Sequence, residues 1–262
     1  MPSGAAVLSH DQAAVPVVAR LASATPAPDG PGSVGWVALQ KALASIGLGP
    51  QRWGLVLVGG AGGLDPAAAE ALSELFNHRL APILGRGRGM VVDGGTDSGV
   101  MALMGAARSQ CGAAFPLLGV APSGAIVGTE DAGLGSDAGP VCPTARLDHH
   151  HSHALLVPGL CWGDEVPWLA AAASVLIPPH RCLTLVCGGG AITRCDVAES
   201  LMLRRSIVAL RGSGGTADWI AERVRSRHSR SRLIRVLDLE TSGDGLCALV
   251  SNLVDGAAGQ TR

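Results

Sequence analysis

The chain has no tyrosine, two phenylalanines and one lysine, Lys41, among its 20 basic residues. Acidic and basic side chains nearly cancel, leaving a formal charge of -1 over 262 residues. That balance excludes the global positive field that drives non-specific nucleic-acid binding. Long apolar runs are missing too. The longest weakly polar stretch, Val166 to Ile177, is too short to span a bilayer and reads as a buried helix. Met1-Pro2-Ser3 starts the chain without a basic region, and the apolar patches that follow are broken by His10, Asp11 and Arg20, so no signal peptide is read. The seven cysteines, at 111, 142, 161, 182, 187, 195 and 247, are odd in number and lack paired zinc-ribbon spacing. They read as reduced thiols of a cytoplasmic protein. No glycine loop has the strict dinucleotide fingerprint and none carries a Walker lysine, which disfavours a standard NAD enzyme or NTPase.

What is present is a large apolar fraction, 47%, enough to fill a sizeable core. Residues 1–33, rich in Ala, Pro, Gly and Ser and including "TPAPDGPGS", read as a flexible lead-in. Residues 34–255 read as one domain and 256–262 as a tail. Within the domain, four units repeat the order apolar run, glycine loop, helical segment: "GLVLVGGAGGLDPAAAEALSELF", "GMVVDGGTDSGVMALMGAARSQC", "CLTLVCGGGAITRCDVAESLMLR" and "SIVALRGSGGTADWIAERVRSR". "PLLGVAP", "HALLVPG" and "LIRVLDL" supply further strands, and residues 123–146 read as a long loop. Short apolar runs without alternation, separated by helices, imply strands covered on both faces. The expected fold is an α/β, Rossmann-like three-layer sandwich with a mostly parallel sheet.

In such a sheet the loops after the strands emerge at one edge, the carboxyl edge, where ligands bind. Gly59-Gly60, Gly94-Gly95, Gly188-Gly189-Gly190 and Gly212 to Gly215 would then face one crevice beside helix N-termini, where unpaired amides receive anions. The expected ligand-binding set is Gly59, Gly60, Gly94, Gly95, Thr96, Ser98, His151, His153, Gly188, Gly189, Gly190, Thr193, Gly212, Ser213 and Gly214. Gly95 is read as bare for a phosphate.

The stretches "GPQRWGLVLVGGAGGLDPAAAEALSELF", "GMVVDGGTDSGVM", "LDHHHSHALLV", "LVCGGGAITRCDVAE" and "IVALRGSGGTADWIAE" resemble, in order and spacing over roughly residues 34–225, the cytosolic N-terminal domain of TRPM cation channels in its free-standing prokaryotic (LSDAT) form. The channel pattern has a Thr-Gly-Gly-Ala strand end, an "ITGGTxxGVM" loop, an "LDxNHSHF" strand, an "EGG" loop and a "DGSGRxAD" loop. The wider superfamily is called SLOG, after the DNA-processing Smf and cytokinin-activating LOG proteins. The resemblance implies a Rossmann-like fold that binds nucleotides or nucleotide-derived ligands such as ADP-ribose. Two departures bear on the ligand. Gly215 stands where the channels have arginine in "GSGR", and "WLAAAASVL" lacks the arginine they place there, so a smaller or differently charged nucleotide derivative fits better. The LOG enzymes cleave nucleoside monophosphates between base and ribose with "PGGxGTxxE". Here Gly188 to Asp196 replace the proline, a glycine and the glutamate. Asp196 and Glu199 are the catalytic candidates, Asp196 also reading as an acidic residue favourable in a helix's first turn.

Asp148, His149, His150, His151 and His153 crowd one segment, and on an extended chain His151 and His153 share a face on which they could ligate zinc or line the crevice floor. The second reading is preferred and no metal is expected. The arginine segment Arg223, Arg225, Arg227, Arg230, Arg232 and Arg235 lacks interleaved aromatics and reads as a solvated face. Of the tryptophans, Trp162 and Trp168 lie near the crevice and could stack a base; Trp36, Trp53 and Trp219 read as packing. The expected function is a sensor that binds a nucleotide-derived small molecule and signals to a partner such as a membrane effector, with a LOG-like N-glycosidic hydrolase as the alternative. No cofactor is expected to be required. A homo-oligomer is an open expectation, and nucleic acid is not an expected partner. Protein purified without a histidine tag should carry well below one equivalent of zinc by elemental analysis; stoichiometric zinc lost in the His151→Ala, His153→Ala double variant would contradict this.

Overall fold

A computed structural model of the chain describes residues 15–87, 89–128, 142–226 and 231–258. Among the described residues eight parallel strands form a single sheet: β1 Val17–Arg20, β2 Trp53–Gly59, β3 Gly89–Asp93, β4 Leu117–Pro122, β5 His153–Val157, β6 Cys182–Cys187, β7 Ser206–Arg211 and β8 Ile234–Asp238. Their order is β1-β5-β4-β3-β2-β6-β7-β8. The helices are α1 Val34–Ser45, α2 Pro66–Leu75, α3 Ala81–Leu84, α4 Gly99–Gln110, α5 Val166–Leu176, α6 Ala191–Met202, α7 Gly215–Arg225 and α8 Gly243–Ala258. A π-helical stretch, Phe76–Leu80, joins α2 to α3 just before Pro82, which has no N–H for the carbonyl one turn back.

The central strands are apolar throughout because both faces are covered, and alternate residues enter separate cores. On one face Val56, Val58, Val92, Leu118 and Val120 meet α1, α5, α6 and α7 through Leu43, Trp168, Val197 and Ile220. On the other, Leu55, Leu57, Val91, Leu117 and Leu185 meet α2, α4 and α8 through Leu72, Met104 and Val250. This is the three-layer α/β sandwich, its sheet wholly parallel. Among the described residues no helix is long and apolar enough to cross a membrane.

The N-terminal segment departs from the expected flexible lead-in. Val17 to Arg20 add a strand to the edge of the sheet beside β5, and Pro26 to Pro28 lie so close to α1 that a Cβ on Gly35 would meet the Pro26 carbonyl. Ser33 caps α1 by accepting from the Trp36 N–H at 3.2 Å. The proline-rich run is thus a packed connection between strand and helix. Helix α8 likewise continues past residue 255 to Ala258. In the expected long loop, Ser123–Ala125 make a 3-10 turn and Ile126 bridges Ala145; residues 129–141 lie outside the described set.

The cysteine expectation also needs correction. Cys142 and Cys161 form a disulfide across 19 positions, while Cys111, Cys182, Cys187, Cys195 and Cys247 are free. Spacing alone did not disclose the pair, because strand β5 lies between its members.

Gly95 and Gly119 meet backbone to backbone, and a Cβ on Gly119 would strike the Gly95 Cα. Gly119→Ala should therefore cost about 1–3 kcal/mol or more and lower the melting temperature by several degrees. Gly49→Ala, whose added methyl meets nothing within 4 Å, should leave melting unchanged in the same scan.

Candidate functional site

The strand order reverses at β2: β3, β4 and β5 lie to one side, β6, β7 and β8 to the other. Neighbouring loops at that point leave in opposite directions and open a crevice beyond the carboxyl edge. A cleft of about 430 Å³ occupies it. Its walls are Gly59 to Gly62 after β2, Gly94, Thr96 and Ser98 after β3, and Gly190 to Thr193 at the start of α6; Leu57, Val58, Met101 and Leu169 give it an apolar lining. Ala145, Trp162, Glu165 and Asp196 complete the wall.

Seven of the expected binding positions thus line the cleft: Gly59, Gly60, Gly94, Thr96, Ser98, Gly190 and Thr193. The others serve the fold. Gly95, at φ +70°, is bare for the backbone of Gly119 and not for a phosphate. The Gly188 and Gly189 carbonyls accept from the Ala217 and Thr216 N–H groups at 3.2 and 2.8 Å, closing the N-terminus of α7. Ser213 Oγ accepts from the Gly188 N–H at 2.9 Å and donates to the Leu210 carbonyl. Gly212 to Gly214 therefore brace the neighbouring loop and are not among the residues lining the cleft.

The amides expected to await an anion at α4 are partly occupied. Val100 N–H donates to the Gly60 carbonyl at 3.1 Å, and Asp97 N–H to the Arg146 carbonyl at 3.0 Å. Helix α6 differs. Its cap residue is Gly190, which supplies no side chain, and among the described residues no loop carbonyl closes its first turn as happens at α4 and α7. The amides of that turn have no intrahelical acceptor and carry the positive end of the helix dipole.

His151 and His153 do not line the cleft. His151 is 2% exposed, and both ring nitrogens are engaged: Nδ1 donates to Asp148 Oδ2 at 2.7 Å and Nε2 to Asp93 Oδ1 at 2.8 Å. His153 opens β5, at the opposite end of the strand from the cleft, with Nδ1 on Ser152 Oγ at 2.8 Å. Among the described residues the grouping with metal-ligand spacing is Asp148, His149 and His150, not the pair His151 and His153. Burial alone would lower the His151 pKa, but Asp93 and Asp148 outweigh it and raise it to about 9.

In the cleft carboxylates burial prevails instead. Asp196 lies in the second turn of α6, past the first-turn position that would have made it a dipole partner, and faces the cleft. Burial first, then Glu165 and Glu199, push its pKa up to about 7. Burial likewise raises Glu165, whose Oε2 accepts from the Gly163 N–H at 2.7 Å. Glu199 is not among the lining residues. Glu165 was missed in the sequence because nothing in "WGDEVPW" marks it; only the fold sets it opposite α6. Trp162 stands at the wall with its indole N–H on the Pro143 carbonyl at 2.7 Å, one residue from Cys161 of the disulfide. Trp168 is core and not crevice. Of the arginine segment, Arg227 and Arg230 lie outside the described residues, and Arg223 covers the Trp219 ring at 4.1 Å.

His151 supports a prediction with a definite sign. Its folded pKa exceeds the ordinary 6.5, so its contribution to stability is complete below pH 6.5 and is lost as pH rises through about 9. Long-range proton–nitrogen spectra should show a doubly protonated imidazole at pH 7.5 that loses a proton near pH 9; a neutral ring at pH 7.5 would refute the charge assignment.

Comparison with solved structures finds the same fold in the structural genomics target TM1055, at TM-score 0.51 and 18% identity over 75% of this chain and 98% of that one. The molybdenum cofactor binding protein from the phototrophic bacterium Rippkaea orientalis matches at TM-score 0.52 and 14% identity over 79% of this chain and 98% of that one. No curated protein matches the sequence. The family described as "SLOG in TRPM, prokaryote" matches residues 53–248, from the first buried residue of β2 to within α8, and the chain belongs to that family.

Proposed function

We propose that the cleft binds a nucleotide-derived small molecule and that the protein is a sensor, reporting occupancy to a partner such as a membrane effector. The observation that carries this reading is the α6 N-terminus. Of the four helices that follow glycine loops, α6 alone has first-turn amides met by neither a side-chain cap nor a neighbouring loop carbonyl among the described residues, and Gly190 to Thr193 at that end line the cleft. A phosphoryl group placed there would take up amides that are otherwise unpaired. Trp162 offers a flat indole for a base, while Glu165 and Asp196 offer acceptors for ribose hydroxyls or base N–H groups. Family membership and the cofactor-binding function named for a protein of the same fold support a ligand-binding role.

A second reading, N-glycosidic hydrolysis, draws support from Asp196. A cleft carboxylate held near pH 7 beside a second carboxylate is suited to moving a proton or stabilising an oxocarbenium-like transition state. Repeated release of base from nucleoside monophosphates, abolished in Asp196→Asn, would establish this reading over the sensor.

Gly190→Asp tests the binding reading. A Cβ there meets nothing within 4 Å, φ is not positive, and aspartate is a favoured N-cap, so melting temperature should hold or rise. The new carboxylate would take the same amides as the phosphoryl group. Affinity for adenosine 5'-monophosphate in calorimetry should fall at least about tenfold. Equal affinity in the folded variant would place the phosphate elsewhere.

A further inference from the structure

The charge arrangement of the cleft narrows the ligand further, granted that the nucleotide reading above holds. Among the described lining residues the ionisable side chains are Glu165 and Asp196, and none is lysine, arginine or histidine. Glu165 is 8% exposed and its carboxylate is fixed by the Gly163 N–H. A dinucleotide or pyrophosphate would bring several negative charges against two carboxylates with one helix end to offset them. A ligand neutral beyond its phosphate offers those carboxyls no counter-charge and leaves burial to hold them protonated. A positive group at the inner end resolves both conflicts. The wall supplies its aromatic surface as well, since the Trp162 indole is held by the Pro143 carbonyl and a cationic ring gains from an indole face. An independent sign of a missing ligand group is Thr96. It is a wall residue and 3% exposed, yet its Oγ1 has no hydrogen-bond partner among the described residues. An unpaired hydroxyl on a wall residue is a group that a bound ligand can complete.

We propose that the cleft selects a zwitterionic nucleotide, with one phosphoryl group at the α6 N-terminus and a positively charged N-ribosylated heteroaromatic ring, of the pyridinium type, against Trp162, Glu165 and Asp196. The two carboxylates set specificity by the charge of the ring, and the Thr96 hydroxyl pairs with a polar substituent of the ligand.

The test compares ligands matched in shape and phosphate but not in ring charge. Oxidised nicotinamide mononucleotide carries a pyridinium, its dihydro form a neutral ring, and nicotinic acid mononucleotide an added carboxylate; ribose 5-phosphate has no ring. Calorimetry on the full chain should show the oxidised form binding at least about tenfold more tightly than the dihydro or carboxylate forms. In the Glu165→Gln, Asp196→Asn double variant that preference should vanish. Equal or tighter binding of the dihydro form, or a preference that survives in the double variant, overturns the inference. If ribose 5-phosphate binds and ring charge has no effect, this inference fails and the nucleotide reading stands. If none of the four binds, both fail. Should the double variant not fold, Glu165→Gln alone, which keeps the hydrogen-bond acceptor for Gly163, must still reduce the preference severalfold.

Discussion

The buried bridge Asp93–His151–Asp148 is the constraint around which the cleft side of the sheet is arranged. A protonated imidazole between two carboxylates is tolerable in an apolar interior only when both ring N–H groups are bonded and the surrounding backbone fits closely. The structure meets both conditions. Asp93 Oδ1 also accepts from the Gly95 N–H at 2.7 Å, and the Asp148 N–H donates to the Gly95 carbonyl at 2.9 Å. Three glycines make room: a Cβ on Gly105 would strike Asp148 Oδ2, one on Gly119 would press the Gly95 Cα and lie 3.4 Å from the His151 ring, and one on Gly95 would strike Gly119. The end of β3, the helix α4 and the turn before β5 are thereby joined, and the loop carrying Gly94, Thr96 and Ser98 to the cleft is set by that junction.

The same economy governs the helix ends. Every helix that follows a glycine loop begins with amides in need of acceptors; at α2 the Asp65 side chain accepts from the Ala67 and Ala68 N–H groups, and in two further cases loop carbonyls do so. Gly60 closes α4, and Gly188 with Gly189 closes α7. These contacts tie the loops after β2, β3, β6 and β7 into one layer, in which Gly99 and Gly215 are bare because a Cβ would meet the Gly60 and Gly189 carbonyls. Helix α6 is left over, and it lies at the point where the strand order reverses. The cleft's polarity follows: the positive end of α6, the buried carboxyls of Asp196 one turn further along α6 and of Glu165 opposite it, and no basic side chain among the described lining residues.

Much of this was legible in the sequence. Apolar runs such as "GLVLVGG" and "LTLVCGGG" alternate with helical segments, a pattern that only a parallel sheet covered on both faces satisfies, and the loops that follow must then share an edge. That local logic reached the cleft at Gly59, Gly60, Gly94 and Gly190. It did not separate a glycine facing open space from one facing another backbone, because both kinds are written with the same letter. Gly95 and Gly190 look alike in sequence, yet one touches Gly119 and the other touches nothing within 4 Å. The pattern also missed β1, whose four residues are too few to announce a strand amid proline and alanine.

By itself the sequence determined the class of fold, the edge at which the site lies and the family to which the chain belongs, since these depend on periodicity and on the order of local motifs. The tertiary structure decided which groups face one another. His151 lies 58 positions from Asp93, Cys142 is 19 positions from Cys161, and Glu165 reaches the cleft from the loop before α5. Each pairing depends on how strands far apart in the chain are ordered in the sheet. Charge and burial follow from that ordering: the histidine is held protonated and the cleft carboxylates are pushed toward neutrality, because each pKa is set by neighbours that only the folded chain assembles.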